Sequence, residues 1–472
     1  MKTATLADGR TIEYMPDAIA EGAMKKVYLS GDRSSVLCFY KDEALADDPN
    51  RMSRLEAILG RYNPTIDRET GDYWKNLFCW STGILTSPQL GIITPIYPQD
   101  FFFSSGFCQG KEKESTWFIQ EKLRGMLPPQ ERGARIDYLN ICILLARAVR
   151  RLHQAGLAHS DLSNKNVLVN PAKGKCLIID IDSLAVPGLF PPDVLGTRGY
   201  IAPEVLATVH LPVRHSQRKH VSTRTDLHAL AVLIYQYLFQ RHPLEGPKIN
   251  STVSAEEDDR LSMGEKALFI EHPCDRSNRP EGIQLPYTAF GSYLSRLFEK
   301  ALIDGLHAPE NRPTAMEWER GLTKTWDSLV PCQNPQCSGK WFVLERQNPA
   351  RCPFCGTKQT GRIPRLILRS QRRPGQWMRD GEVMAYDRLS LFKWHVFDHI
   401  SPGEKGDRSP QAYCTVRDGR WWLANQQLTS LMASNGEPVP LGNAIALKHG
   451  QWFQLSRNSH GRIVEVEMLC LD

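Results

Sequence analysis

The sequence predicts an α+β chain of two successive lobes, followed by a cysteine-rich segment and a β-rich domain. Three observations carry this prediction. Short β-prone runs dominate residues 1–130. Long apolar helical patterns dominate 134–306. After Pro331, four clustered cysteines precede short strands separated by Gly, Asn and Pro.

Composition narrows the class. The chain has 472 residues, 41% hydrophobic and 23% charged, with a net charge of +6. These are ordinary globular values, and they exclude a collagenous, coiled-coil or wholly disordered chain. At roughly 150 residues per domain the length predicts about three domains. No run of about 18 apolar residues is present, so no membrane span is expected. The opening MKTATLADGR lacks the apolar core of a signal peptide, and a cytoplasmic location is expected.

In chain order, Val27-Tyr28-Leu29 and Val36 to Tyr40 flank Ser30-Gly31-Asp32 as a hairpin. Met52 to Leu59 reads as a short helix carrying Glu56. Ile136, Leu139, Ile143, Ala146, Val149 and Leu152 recur at helical spacing, and Gly156 ends that helix. Further apolar helices run from Asp226 to about Phe239 and from Tyr293 to Leu306. The expected boundaries are 1–125 and 126–328 for the two lobes, 329–360 for the cysteine module and 380–472 for a β-sandwich-like tail. Between the last two, 361–379 holds Arg362, Arg365, Arg369, Arg372, Arg373 and Arg379 with no acid. It reads either as a basic linker with an edge strand or as a surface for an anionic partner.

Chemistry concentrates in His159-Ser160-Asp161-Leu162-Ser163-Asn164-Lys165-Asn166 and in Ile178-Ile179-Asp180-Ile181-Asp182. An Asp and an Asn five apart on a loop divide two tasks. Asp161 can orient an attacking hydroxyl and accept its proton, while Asn166 and a later Asp hold Mg²⁺ on nucleotide phosphates. Leu152 to His159 leads into this loop. Gly196-Thr197-Arg198-Gly199-Tyr200-Ile201-Ala202-Pro203-Glu204 follows it, then Asp226 and Asn311-Arg312-Pro313.

Over 1–328 this ordered set resembles the eukaryotic-type Ser/Thr protein kinases, which implies a bilobal protein-kinase-like fold, ATP and Mg²⁺ as cofactors, and a protein substrate. The resemblance makes Asp161 the catalytic base and Asn166 and Asp180 the magnesium ligands. It makes Asp226 the brace of the catalytic loop and Arg312 the partner of Glu204. Non-catalytic ATP-binding scaffolds and small-molecule kinases are the rival readings. Retained Asp161, Asn166 and Asp180 oppose the first, and the Ala-Pro-Glu segment opposes the second.

The nucleotide end departs from that pattern. Of the usual glycine-rich loop only Gly22 remains, with Lys25 at the third glycine position and Val27 after it. Cys38 falls where the strand lysine is expected. This is similar to the with-no-lysine kinases, in which a loop lysine reaches the phosphates, and implies that Lys25 does so with Glu56 as the helix acid. A competing alignment makes Lys41 the phosphate lysine, but sets Phe39 against the adenine. Ser160 replaces the usual Arg, and no Ser, Thr or Tyr lies between Leu184 and Gly196. Both absences argue against activation by phosphorylation of that segment. Lys165 either meets the γ-phosphate or is a solvated loop charge.

Cys332-x4-Cys337 and Cys352-x2-Cys355 have the spacing of a zinc ribbon: four thiolates, no open position, a structural Zn²⁺. The other eight cysteines are expected as reduced core thiols. Kinase core, ribbon and tail together look like the bacterial kinases of the tellurite-resistance-associated TerY triad. Arg198 to Leu206 and Ala267-Leu268-Phe269-Ile270-Glu271-His272-Pro273 contribute to that likeness. It implies a von Willebrand A-domain protein and a Ser/Thr phosphatase as partners. The tail faintly resembles a forkhead-associated sandwich without a convincing phosphothreonine-binding set, and is read as a module for protein contact.

Overall fold

Alternation along strands decides how the first lobe is built. In the computed structural model, which describes residues 1–42, 50–186, 189, 196–212, 214–345 and 350–472, the chain opens with hairpin β1 (Lys2–Leu6) and β2 (Thr11–Tyr14). Then come β3 (Ala20–Glu21), β4 (Lys25–Leu29), β5 (Ser35–Tyr40), helix α1 (Arg51–Leu59), β6 (Gly83–Ser87) and β7 (Gly91–Pro95). The strands form one antiparallel sheet in the order β2-β1-β6-β7-β5-β4-β3. Strand β5 sends Leu37 and Phe39 to one face, where they join Ala4, Leu6, Tyr14, Leu85 and Ile93. Each fully buried side chain of this kind contributes about 1.5–3 kcal/mol. Cys38 and Tyr40 face the other way, onto Leu55 of α1 with Ile84 and Ile92. Met15 N–H donates to Leu29 O at 2.9 Å and Gly31 N–H to Glu13 O at 2.8 Å, so the added hairpin closes back on β4.

The second lobe is helical. Helix α2 (Arg135–Gln154) buries Ile141, Cys142, Leu145, Ala146, Val149 and Leu152 along one stripe. It ends where Gly156, at φ +75°, accepts the left-handed turn. A hairpin of β8 (Val167–Asn170) and β9 (Lys175–Ile178) follows. Helix α3 (Thr223–Phe239) is buried from Thr225 onward on every side, as expected of a helix apolar all round. Helices α4 (Gly291–Glu299) and α5 (Ala315–Asp327) follow.

The chain divides into two compact units, 1–287 with 296–319, and 288–295 with 320–472. The second begins its β structure with β10 (Leu329–Pro331) and β11 (Trp341–Val343). Two four-stranded antiparallel sheets follow. One has the order β13 (Gln376–Met384), β12 (Arg362–Arg373), β19 (Ile463–Cys470), β18 (Trp452–Gln454). The other runs β14 (Ser390–Leu391), β15 (Ala412–Arg417), β16 (Arg420–Asn425), β17 (Ala444–Ala446). Leu366, Leu368, Val383 and Val464 of the first share a core with Leu391, Cys414, Leu423 and Ile445 of the second.

The basic linker expected at 361–379 is corrected here. That stretch is β12 and the start of β13, and β12 is paired along both edges. Arg365 and Arg369 of β12 meet acids of the neighbouring strand β19, whereas Arg379 of β13 meets an acid of its own strand. Arg365 Nε donates to Glu467 at 3.0 Å, Arg369 to Glu465 at 2.6 and 2.9 Å, and Arg379 pairs with Glu382. The acids lie up to 102 residues away along the chain, which is why a local charge count reads the segment as uncompensated.

Candidate active site

The loop 158–166 is held from below. Asp226 of α3, 2% exposed, accepts the His159 backbone N–H at 2.7 Å and lies 3.1 Å from His153 Nε2. His159 Nε2 bonds Ile179 O at 2.9 Å, joining the loop to the segment that carries Asp180. Ser160 takes a left-handed conformation, φ +63°, and its hydroxyl donates to Ser183 O at 2.7 Å. Asp161 is thereby turned outward, and both its carboxylate oxygens are aimed. Oδ1 accepts the Thr197 N–H at 2.7 Å and Oδ2 accepts Asn166 Nδ2 at 3.0 Å. Asn166 Nδ2 also reaches Asp161 O at 2.8 Å. Among the described residues nothing engages Asn166 Oδ1, which leaves a hard oxygen of the kind Mg²⁺ takes. Gly196 closes against this loop at φ +85°, and a Cβ there would sit 3.6 Å from Asp161 Oδ1. Asp161 opens onto a pocket that Thr197, Tyr200, Ile201 and Val205 line with Thr225 and Ala229 of α3.

Lys25 arrives from the other lobe. Its ammonium donates to Asp180 Oδ1 at 2.7 Å and to both oxygens of Asp182 at 2.9 Å. Asp180, at φ +60°, opens a short turn over Ile181–Ser183 that brings the two carboxylates to one side. The Tyr40 hydroxyl donates to Asp182 Oδ2. Burial alone would lower the Lys25 pKa, but the charges of Asp182 and Asp180 outweigh it and raise it well above the usual lysine value. Burial likewise pushes Asp180 up, and the Lys25 ammonium more than offsets that, holding it below the usual carboxylate value. Lysine and aspartate are both charged at neutral pH. A carboxylate, an amide oxygen and a fixed cation in one cleft fit a magnesium–polyphosphate group.

The remaining expected residues fall as follows. Gly22 opens the turn between β3 and β4, and its N–H donates to Lys25 O at 2.9 Å. Val27 and Cys38 are direct cross-strand partners on the face shared with Ile84 and Ile92. Cys38 stands two pairs along the β4–β5 ladder from the pair that holds Lys25. The strand residue opposite Lys25 is Tyr40. Lys41 lies on the far face, where it pairs with Glu21 at 2.7 Å. Glu56 is exposed, and among the described residues no hydrogen bond or ion pair engages its carboxylate. The expected Glu56–lysine pair is corrected on that ground, since α1 turns Arg51, Arg54, Leu55 and Ile58 inward instead. Lys165 is also exposed and is not drawn to Asp161 or Asn166. Residues 187–188 and 190–195, on which the expectation about loop phosphorylation falls, lie outside the described residues. The Arg312 guanidinium forks onto Glu204 at 2.8 and 2.7 Å, clamping the end of that segment.

Sequence reasoning missed Tyr40. The available signal was strand periodicity: Tyr40 follows Cys38 by two and so shares its face.

In the second unit the Sγ atoms of Cys332, Cys337, Cys352 and Cys355 all lie within 4.8 Å of one another. Cys337 and Cys352 are buried beside Val330, Phe342 and Leu344. Four converging thiols suit a tetrahedral soft-metal site.

Residues 111–319 match the sequence model of the protein kinase domain. The Ser/Thr-protein kinase WNG2 of Toxoplasma gondii is 30% identical over 116 residues, covering 25% of this chain and 20% of that protein. The Ser/Thr-protein kinase PknL of Mycobacterium tuberculosis is 21% identical over 235 residues, 46% of this chain and 56% of that protein. The dual specificity protein kinase TTK of Mus musculus is 25% identical over 173 residues, 32% of this chain and 20% of that protein. The chain thus spans a fifth of the length of WNG2 and about half that of PknL. The domain match begins after the strands β1–β7 of the sheet that carries Lys25.

Proposed function

We propose that this chain, with a protein kinase domain at residues 111–319, is an active Ser/Thr kinase that transfers the γ-phosphate of MgATP to a protein hydroxyl. Asp161 orients that hydroxyl and accepts its proton. Asn166 and Asp180 would hold Mg²⁺, which supplies charge neutralisation on the phosphates. Lys25 contributes the protein's fixed cation, and Val27 and Cys38 line the nucleobase end. Catalysis here is positioning plus electrostatics. The observation that carries the reading is the meeting of Lys25 with Asp180, 155 residues apart in sequence, at 2.7 Å. Labelled ATP, the purified chain and a mixture of acceptor proteins test it. The expected result is phosphoserine and phosphothreonine with the native chain and none with Asp161→Asn. Equal labelling by both would refute it.

The four cysteines hold a structural Zn²⁺ in this reading, and the β-rich unit serves protein contact. A von Willebrand A-domain protein and a Ser/Thr phosphatase are the partners that the TerY-like arrangement of the sequence supports. Co-purification with each, expressed together, checks this. Among the described residues no helix is long and apolar enough to cross a membrane.

A further inference from the structure

Lys25 is gripped by a carboxylate on the same turn as Asp180, while the helix that would ordinarily supply an acid supplies none. We infer that Asp182, oriented by the Tyr40 hydroxyl, is the positioning residue that fixes the Lys25 ammonium for the nucleotide phosphates, in place of a carboxylate from α1. The inference rests on the kinase reading of the site.

Four observations lead to it. First, an ammonium has three N–H donors, and those of Lys25 are spent on Asp180 and Asp182. A divalent ion on Asp180 competes with Lys25 for that carboxylate. Asp182 is the contact that survives loading. Second, Asp182 is 5% exposed. A buried carboxylate persists only when paired and hydrogen-bonded, and Lys25 and Tyr40 are its partners. Third, Tyr40 is 1% exposed, is the cross-strand partner of Lys25, and has the Arg51 guanidinium 4.4 Å above its ring. Its hydroxyl is therefore delivered to Asp182 by the same strand pair that delivers the lysine. Fourth, Glu56 is exposed.

The turn that carries Asp182 is itself tied down. Ser183 Oγ donates to Asp180 O at 2.8 Å and Ser160 Oγ to Ser183 O at 2.7 Å. The lysine is thus wired to the loop of Asp161.

The test uses the full chain. ATP affinity is titrated with and without Mg²⁺, alongside steady-state kcat and KM, for Asp182→Asn, Tyr40→Phe, Glu56→Gln, Lys25→Met and the double variant Lys25→Met/Asp182→Asn. Loss of a charged contact should weaken ATP binding by about ten- to a hundredfold in Asp182→Asn. That loss should appear with and without metal, and the Mg²⁺ half-saturation should not move. Tyr40→Phe should shift in the same direction by less, and Glu56→Gln should match the native chain. With Lys25 already removed, Asp182→Asn should add no further loss. Additive losses overturn the inference and leave the kinase reading standing. So does a raised Mg²⁺ half-saturation with metal-free ATP binding intact, which would make Asp182 a metal ligand. Should Asp182→Asn fail to fold, Tyr40→Phe in the same cycle against Lys25→Met decides. A native chain that binds no ATP overturns both readings.

Discussion

At the scale of single residues, two lysines separate the two alignments of the first lobe. Lys25 meets Asp180 and Asp182 inside the cleft, whereas Lys41 pairs with half-exposed Glu21 on the outer face. A cation aimed at phosphate charge in a dry site contributes about 3 kcal/mol or more, whereas solvent screens an exposed pair. Lys25→Met should therefore lower kcat/KM more than a hundredfold, by about 1.4 kcal/mol per factor of ten, and Lys41→Met should change it little. Steady-state rates for the two variants check this. Because Tyr40 stands opposite Lys25, Tyr40→Lys in the Lys25→Met background should recover part of the loss, and Cys38→Lys should not. The contact of Asp161 with Asn166 was legible in sequence because the two stand five apart on one loop, and Asp180 was singled out by the resemblance of its motif. Tyr40 and Asp182 were not legible as partners of Lys25. Their meeting depends on a cross-strand register and on a turn at φ +60° that local sequence does not specify.

At the scale of elements, α3 carries a pH liability. His228 lies on it, 2% exposed, with no hydrogen-bond partner for either ring nitrogen among the described residues. Burial, and then the positive charges of Arg312, His242 and His307, hold its pKa well below the ordinary 6.5. The unfolded chain takes up a proton below that value which the folded chain refuses. Stability should accordingly be level above pH 6.5 and fall as pH drops beneath it. The slope from this group approaches about 1.4 kcal/mol per pH unit. His228→Leu removes the unpaired polar atoms and should flatten that slope, as urea unfolding at several pH values would show. In the second unit, the structural Zn²⁺ proposed for the four cysteines would add folding energy to the cluster of Val330, Phe342 and Leu344 that surrounds them. Chelation should release one Zn²⁺ per chain and loosen 332–356 while the kinase domain keeps its thermal transition. Metal analysis with hydrogen exchange checks this. Helix α3 was legible because its pattern is apolar throughout. The strand β12 was not, since its arginines read as solvated until strands β13 and β19 bring acids beside them.

At the scale of the whole molecule, a segment that matches the protein kinase domain over 111–319 follows a first lobe that departs from that pattern. The added hairpin β1–β2 covers the sheet face bearing Leu37 and Phe39. The opposite face carries Cys38 and Tyr40, packed with Leu55, Ile84 and Ile92. Two lobes were legible from the change of periodicity near residue 130. The closing of the first by its own N-terminal hairpin was not, because it rests on backbone bonds between residues such as Met15 and Leu29. The central claim is that Asp180 and Lys25 together serve a magnesium nucleotide. The most direct measurement is Mg²⁺-dependent phosphoryl transfer by the full chain and by Asp180→Asn, at matched protein and ATP. The account predicts transfer that requires Mg²⁺ in the native chain and its abolition in the variant, with the fold retained. Equal transfer by the two proteins, or none by either, would contradict it.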